Sequence, residues 1–144
     1  MNQEISALPT SDERTFAMLA HFLQLFGGFI GPLVILIVKR NSRFVSFHAI
    51  QALLWQGTYF VLAIIGVVIW FILFFGSIAM HVHAGPSSGP PFEMFILFPL
   101  LWLFFLGGWL VTLILAIAYG IKANQGEWAR YPILGRWAHR LIRA

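Results

Sequence analysis

Residues 44–121 read FVSFHAIQALLWQGTYFVLAIIGVVIWFILFFGSIAMHVHAGPSSGPPFEMFILFPLLWLFFLGGWLVTLILAIAYGI, and Glu93 is the sole formal charge in that stretch. A soluble domain carries about 25% charged residues, because it must cover itself with water-compatible surface. This chain has 10% charged and 60% hydrophobic residues. Such a stretch has no solvated face to offer, so lipid is the solvent it predicts. It divides at 81–91 (HVHAGPSSGPP), a turn-rich outer loop without Lys or Arg, into two apolar segments, about 52–80 and 92–121. Each would be about 43 Å long as a helix at 1.5 Å per residue. That exceeds a ~30 Å hydrocarbon core, so the helices should tilt or extend into the headgroup region.

Working outward, residues 1–11 form a polar tail, and Thr10 and Glu13 have the spacing of a helix-opening capping box. A first apolar segment, 14–38, is interrupted by Gly27-Gly28 and Gly31-Pro32. Glycine loosens a helix and proline removes a backbone bond. The spacing predicts two short helices, 12–26 and 31–39. They either continue across the bilayer as one broken span or fold back as a re-entrant hairpin, which leaves the side of the N-terminus open. Backbone groups freed in lipid must be covered by protein, so the break is expected to face the bundle interior.

Past 121, residues 132–143 place Ile133, Leu134, Trp137, Ala138, Leu141 and Ile142 at helical spacing, with Arg136, His139, Arg140 and Arg143 opposite. Twelve residues are too few to span. A basic amphipathic helix with Trp137 on its apolar side predicts an interfacial helix, with Arg136, Arg140 and Arg143 at the membrane surface. The expected fold is an all-α integral membrane protein. It is a small bundle of three transmembrane segments, the first broken at Gly27-Gly28/Gly31-Pro32, plus this C-terminal helix. The membrane domain covers 12–134.

The net charge of +4 is unevenly placed: Lys39, Arg40 and Arg43 form one group, Lys122, Arg130, Arg136, Arg140 and Arg143 another. These charges flank apolar segments. They point to membrane orientation and anionic lipid headgroups rather than nucleic acid. Both groups are expected on the cytoplasmic side of a bacterial inner (cytoplasmic) membrane, with loop 81–91 opposite. The chain has no cysteine, which excludes disulfides, thiolate catalysis and cysteine-held metal. The first eleven residues carry no Lys or Arg, so a cleaved signal peptide is not expected.

Few residues carry chemistry. His21 and His48 are the candidates for a cofactor, since a neutral imidazole can ligate haem or a chlorophyll-type pigment. The plainer reading is a hydrogen bond to a neighbouring helix or loop. His81 and His83 form an H-x-H pair that lacks the further ligands of a real metal site. Gln51 and Gln56 either bond across helices or line a wet cavity. Gly27 with Gly31, and Ala116 with Gly120, have the small-residue spacing of close helix packing, read here as intramolecular. Glu93 reads as a helix-start carboxylate rather than a proton relay. Glu13, Arg14, Glu127 and Arg130 are candidates for surface ion pairs. No serine–histidine–acid set, phosphate loop or carboxylate pair is present, so no enzyme activity is expected.

Three blocks together resemble a widespread bacterial family of small membrane proteins described as similar to the chloroplast inner-envelope import channel component, the twenty-kilodalton Tic subunit. The first is Glu13-Arg14-Thr15-Phe16-Ala17-Met18-Leu19-Ala20-His21, continuing to Gly31-Pro32-Leu33. The second is Phe44-Val45-Ser46-Phe47-His48-Ala49-Ile50-Gln51-Ala52-Leu53. The third is Lys122-Ala123-Asn124-Gln125-Gly126-Glu127, followed by Arg130-Tyr131-Pro132. The resemblance spans about 12–134 and implies an all-helical membrane domain without an assigned activity. It marks Glu13, Arg14, His21, Phe47, His48, Gln51, Lys122, Asn124, Gly126, Glu127, Arg130, Tyr131 and Pro132 as motif residues. Two departures stand out. The gap between the halves of the first segment is short, which favours a continuous broken span. The C-terminal helix and the Pro/Gly-rich outer loop read as docking features.

Three functions follow as expectations. The first is a non-catalytic membrane subunit or assembly factor, with other membrane-protein subunits as partners and no cofactor. The second is a channel-like translocation component, which requires His21, His48, Gln51 and Gln56 to line a water-filled path. The third is haem or pigment binding through His21 or His48.

Overall fold

The computed structural model describes residues 8–85 and 93–142. These form helices α1 (Ser11–Gly27), α2 (Ile30–Val38), α3 (Arg43–Ala84), α4 (Glu93–Asn124) and α5 (Leu134–Leu141), with no strand among the described residues. They group into two compact units. One comprises the chain up to Thr58 and from Val111 onward, the other Tyr59–Leu110. Helices α3 and α4 each contribute to both.

The expected capping box opens α1. Thr10 Oγ1 accepts from the Glu13 N–H at 3.2 Å, and the Glu13 carboxylate accepts from the Thr10 N–H at 2.8 Å. The Ser42 hydroxyl donates to the same carboxylate at 2.6 Å. Led by the Ser42 bond, these donors hold the Glu13 carboxyl below its ordinary value of 4.5.

Helix α1 ends at Gly28, whose φ of 52° is one that L side chains rarely adopt. The chain then reverses. A Cβ at Gly31 would lie 2.9 Å from the Leu23 carbonyl oxygen, so only a bare glycine lets α2 lie this close to α1. At the other end, Lys39 forms a salt bridge with Asp12, beside the Ser42–Glu13 bond. The start of α1 and the end of α2 therefore meet, and the first apolar segment is a helical hairpin. Of the two alternatives for this segment, the re-entrant hairpin forms rather than the continuous broken span that its short gap favoured. Two helices are long and apolar enough to cross a membrane, Arg43–Ala84 and Phe95–Asn124. The break is covered on one side and open on the other: Pro32 is fully buried and Gln56 donates to the Gln24 carbonyl, while Phe26 and Ile30 are 89% and 70% exposed, which suits lipid contact.

The first unit packs through small residues. Ala20, Ile35, Val45 and Ala49 form one cluster, and Ala17, Phe44 and Ala123 another. A Cβ at Gly120 would stand 3.1 Å from the Phe22 ring, and Ala116 on the same helix is fully buried. Gly31, Ala116 and Gly120 thus serve packing within the chain, while a Cβ at Gly27 would meet only Ile30, at 4.0 Å.

The second unit is organised by aromatic rings. Gly66 and Gly108 leave notches filled by Phe104 and Tyr59. Trp70 donates from Nε1 to the Leu97 carbonyl at 3.0 Å and stacks on Phe74, with ring centroids 4.8 Å apart. Tyr59 donates to the Phe105 carbonyl at 3.2 Å. Outward lie Ile65, Ile72, Phe75, Trp102 and Leu103, all about half exposed or more. That is the surface lipid requires and water would penalise. Glu93 is the first residue of α4, and Ser77 donates to its carboxylate at 3.4 Å.

Helix α3 exceeds the expected 52–80 at both ends and is about 63 Å long at 1.5 Å per residue. Its first turns, Phe44–Ala49, are buried on all sides. At its far end His81 and His83 are still helical, and His81 Nδ1 donates to the Ser77 carbonyl at 3.0 Å. Residues two apart on a helix point to different sides, so the two imidazoles do not converge on one metal. The rest of the outer loop (86–92), most of the N-terminal tail (1–7) and Arg143 lie outside the described residues.

Helix α5 lies within the expected 132–143. It turns Gly135 and Ala138 inward and leaves Arg136 and Arg140 exposed beside Trp137 and Leu141, the latter two 61% and 57% exposed. His139 departs from its expected polar side and packs edge-on against Phe47, ring centroids 6.2 Å apart.

Two predictions follow from the hairpin. The chain has no native cysteine. An Asp12→Cys/Lys39→Cys pair should therefore crosslink efficiently within one chain through a short bis-maleimide. Opposite-side labelling with no crosslink would show a continuous span instead. Glu13 titrates below its unfolded value, so its contribution is complete above pH about 4.5 and is lost as pH falls through the lowered folded value. The thermal midpoint in detergent should fall on that acid limb, and Glu13→Gln should flatten the fall.

Candidate functional site

The buried stripe of α1 is Ala17, Ala20, His21 and Gln24, at i, i+3, i+4 and i+7. It is small and polar rather than large and apolar, and it aims His21 and Gln24 into the first unit. Helix α3 presents His48 and Gln51 one turn apart, facing the same interior. Helix α4 supplies the third part by stopping abruptly. The Gly126 N–H donates to the Ala123 carbonyl and the Glu127 N–H to the Lys122 carbonyl, both at 3.0 Å, with Gly126 at φ 84°. That is a Schellman cap, which only a residue tolerant of positive φ completes. It turns the chain back along α3 as segment 127–131.

Two side chains of α3 hold that segment at alternate residues. His48 Nε2 donates to the Glu127 carbonyl at 3.1 Å. Gln51 Nε2 donates to the Ala129 carbonyl at 3.1 Å, and Gln51 Oε1 accepts from the Tyr131 N–H at 2.6 Å. The Gln51 carboxamide thus pairs with main chain as a neighbouring strand would.

His21 closes the site. Its Nε2 lies 3.0 Å from His48 Nδ1 and its Nδ1 2.8 Å from the Tyr131 hydroxyl. The Glu127 carbonyl only accepts, so His48 carries its proton on Nε2 and accepts on Nδ1. For two neutral rings the rest is then forced. His21 donates from Nε2, and Tyr131 donates to His21 Nδ1. The Tyr131 hydroxyl accepts from Gln24 Nε2 at 3.4 Å. One directional chain therefore runs Gln24, Tyr131, His21, His48, Glu127. Burial pushes the Tyr131 phenol up, keeping it protonated as a donor. Gln24 Oε1, at the head of the chain, has no protein partner among the described residues. Gln56 donates to the Gln24 carbonyl at 3.0 Å, in the last turn of α1 where carbonyls lack helical partners.

His21, His48 and Gln51 are fully buried, and Gln56 is 8% exposed. These four bond to one another's networks and to backbone, so they do not line a water-filled path, and the channel expectation is corrected. Both nitrogens of each histidine face a partner, which leaves neither ring a free position for an axial ligand in this conformation.

Of the other motif residues, some pack around this latch and some do not. Phe47 is fully buried, its ring 5.2 Å from His48 and 5.3 Å from Trp128. Arg14 donates from Nε to the Pro9 carbonyl at 2.8 Å and packs over Gly126. Glu127 serves through its carbonyl, while Lys122, Asn124, Arg130 and Pro132 are exposed. The expected ion pairs of Glu13, Arg14, Glu127 and Arg130 do not form, because Glu13 is taken by hydroxyl and backbone donors and Arg14 by a carbonyl. Among the described residues the salt bridge is Lys39–Asp12. Gln24 was not anticipated. Its signal was present in the sequence, three residues beyond His21 on a stripe of alanines.

A family model described as "Magnetosome magnetite crystal formation protein family" (MamF/MmsF) matches residues 12–138. This corrects the expected likeness to the chloroplast import channel component, for which no support is found. Curated proteins and solved structures gave no match.

Replacing Gln51 by Ala leaves a buried carbonyl and a buried N–H without partners. Gln51→Ala should therefore cost about 2–4 kcal/mol. It should also expose the 125–133 segment to limited proteolysis while α3 and α4 stay helical by circular dichroism.

Proposed function

The chain belongs to the MamF/MmsF family, a magnetosome magnetite crystal formation protein family, and from that premise we propose that it is a non-catalytic membrane subunit assisting magnetite crystal formation. The observation that carries this reading is where the polar groups go. The buried imidazoles and carboxamides are spent on each other and on backbone. What the surface offers is apolar, aromatic helix faces in the second unit and a basic end in the first. Every described Lys and Arg lies in the first unit, together with the start of α1, the 39–42 loop, the end of α4 and α5. By the bias of basic residues toward the cytoplasm, this end is cytoplasmic in a bacterial inner membrane. In this reading the N-terminal end of α1 lies on that same side. Such a surface suits docking to other membrane proteins rather than turnover of a substrate.

The chain acts without a haem or chlorophyll-type pigment in this reading, since His21 and His48 are committed to the latch. The purified protein should show no visible absorption band. Purification from native membranes in mild detergent should recover a second membrane protein in fixed proportion. An isolated monomer with no companion would overturn the subunit reading.

A further inference from the structure

A crevice of about 280 Å³ lies within the first unit, walled by Trp55 of α3, Val111 and Leu115 of α4, and the 132–134 segment. No polar atom faces its interior. It is at the small end of ligand cavities, roughly 300 Å³ and above. Its two helical walls belong to the membrane-crossing helices, so it opens where acyl chains are the ambient solvent.

Two further observations point to an occupant. Ile133 has φ 69° and ψ −60°, close to a strained γ-turn that a β-branched residue rarely adopts. Strain of this kind costs on the order of 1–3 kcal/mol and persists only where its surroundings impose it. Yet Ile133 is 72% exposed, so the protein itself gains little burial from that side chain. The second observation is charge. Arg130 packs at its root beneath Gly135, one residue past the crevice-lining Leu134: a Cβ at Gly135 would lie 2.6 Å from Arg130 Cβ. Arg130 and Arg136 are exposed, and neither is paired with a carboxylate among the described residues.

We propose that this crevice seats one acyl chain of an anionic phospholipid, with Arg130 and Arg136 holding its phosphate. The lipid covers Ile133 and neutralises the rim. Guanidinium groups suit this role because their fork of donors matches phosphate oxygens. The site stands apart from the subunit reading and does not depend on any partner.

The test is native mass spectrometry of the full chain, reconstituted with phosphatidylglycerol or phosphatidylcholine and then extracted in mild detergent. One phosphatidylglycerol per chain should survive extraction, with phosphatidylcholine retained about tenfold less. Leu115→Trp should fill the crevice and abolish retention. Arg130→Gln/Arg136→Gln should lower phosphatidylglycerol retention about tenfold without changing the circular dichroism spectrum. If Leu115→Trp fails to fold, the double arginine variant decides, since it alters exposed groups alone. Equal retention of the two lipids, retention unchanged in the arginine variant, or a polypeptide bound in place of lipid overturns the proposal.

Discussion

One turn of α3 does for segment 127–131 what an adjacent strand would do. His48 and Gln51 satisfy its backbone at residues 127, 129 and 131, on the side that faces α3. An extended segment at a protein's inner face is costly unless its inward polar groups find partners, and here two side chains supply three of them. Around that pairing the other parts become necessary. The Schellman cap at Gly126 aims the segment, His21 bridges it to α1, and Gly135 lets α5 start against Arg130 and the Gln51 amide. The carbonyl at the far end sets the direction of every hydrogen bond back to Gln24.

The two units pack by different means. In the first, polar side chains are buried and small residues bring helices together. In the second, large apolar side chains face outward and rings fill glycine notches. Without a hydrophobic drive between helices in lipid, packing and hydrogen bonds must hold the structure. Trp70 on Leu97 and Tyr59 on Phe105 provide such bonds. The charges follow the same division, and Glu93 is the one charged group described in the second unit.

Much was legible in the sequence. The capping box at Thr10, the paired apolar segments and the glycine break each express local chemistry, and each appears where the residues put it. The grouping of His21, His48 and the 122–132 block was visible only as co-occurring motifs, because nothing along the chain states that residues 27 and 110 positions apart touch. The histidines read as possible ligands while their partners were unknown. Their ring nitrogens turned out to face a phenol, another imidazole and a carbonyl.

The sequence by itself determined a helical chain with two lipid-compatible helices, a break near residue 28 and a basic end, because charge, periodicity and glycine act locally. The tertiary structure alone decided that the first segment folds back rather than crosses. That choice rests on contacts between distant residues: Gly31 against Leu23, Lys39 against Asp12, Ser42 against Glu13. Helix propensity is the same for a hairpin and for a broken span. Only the partners that meet at the closed end separate the two.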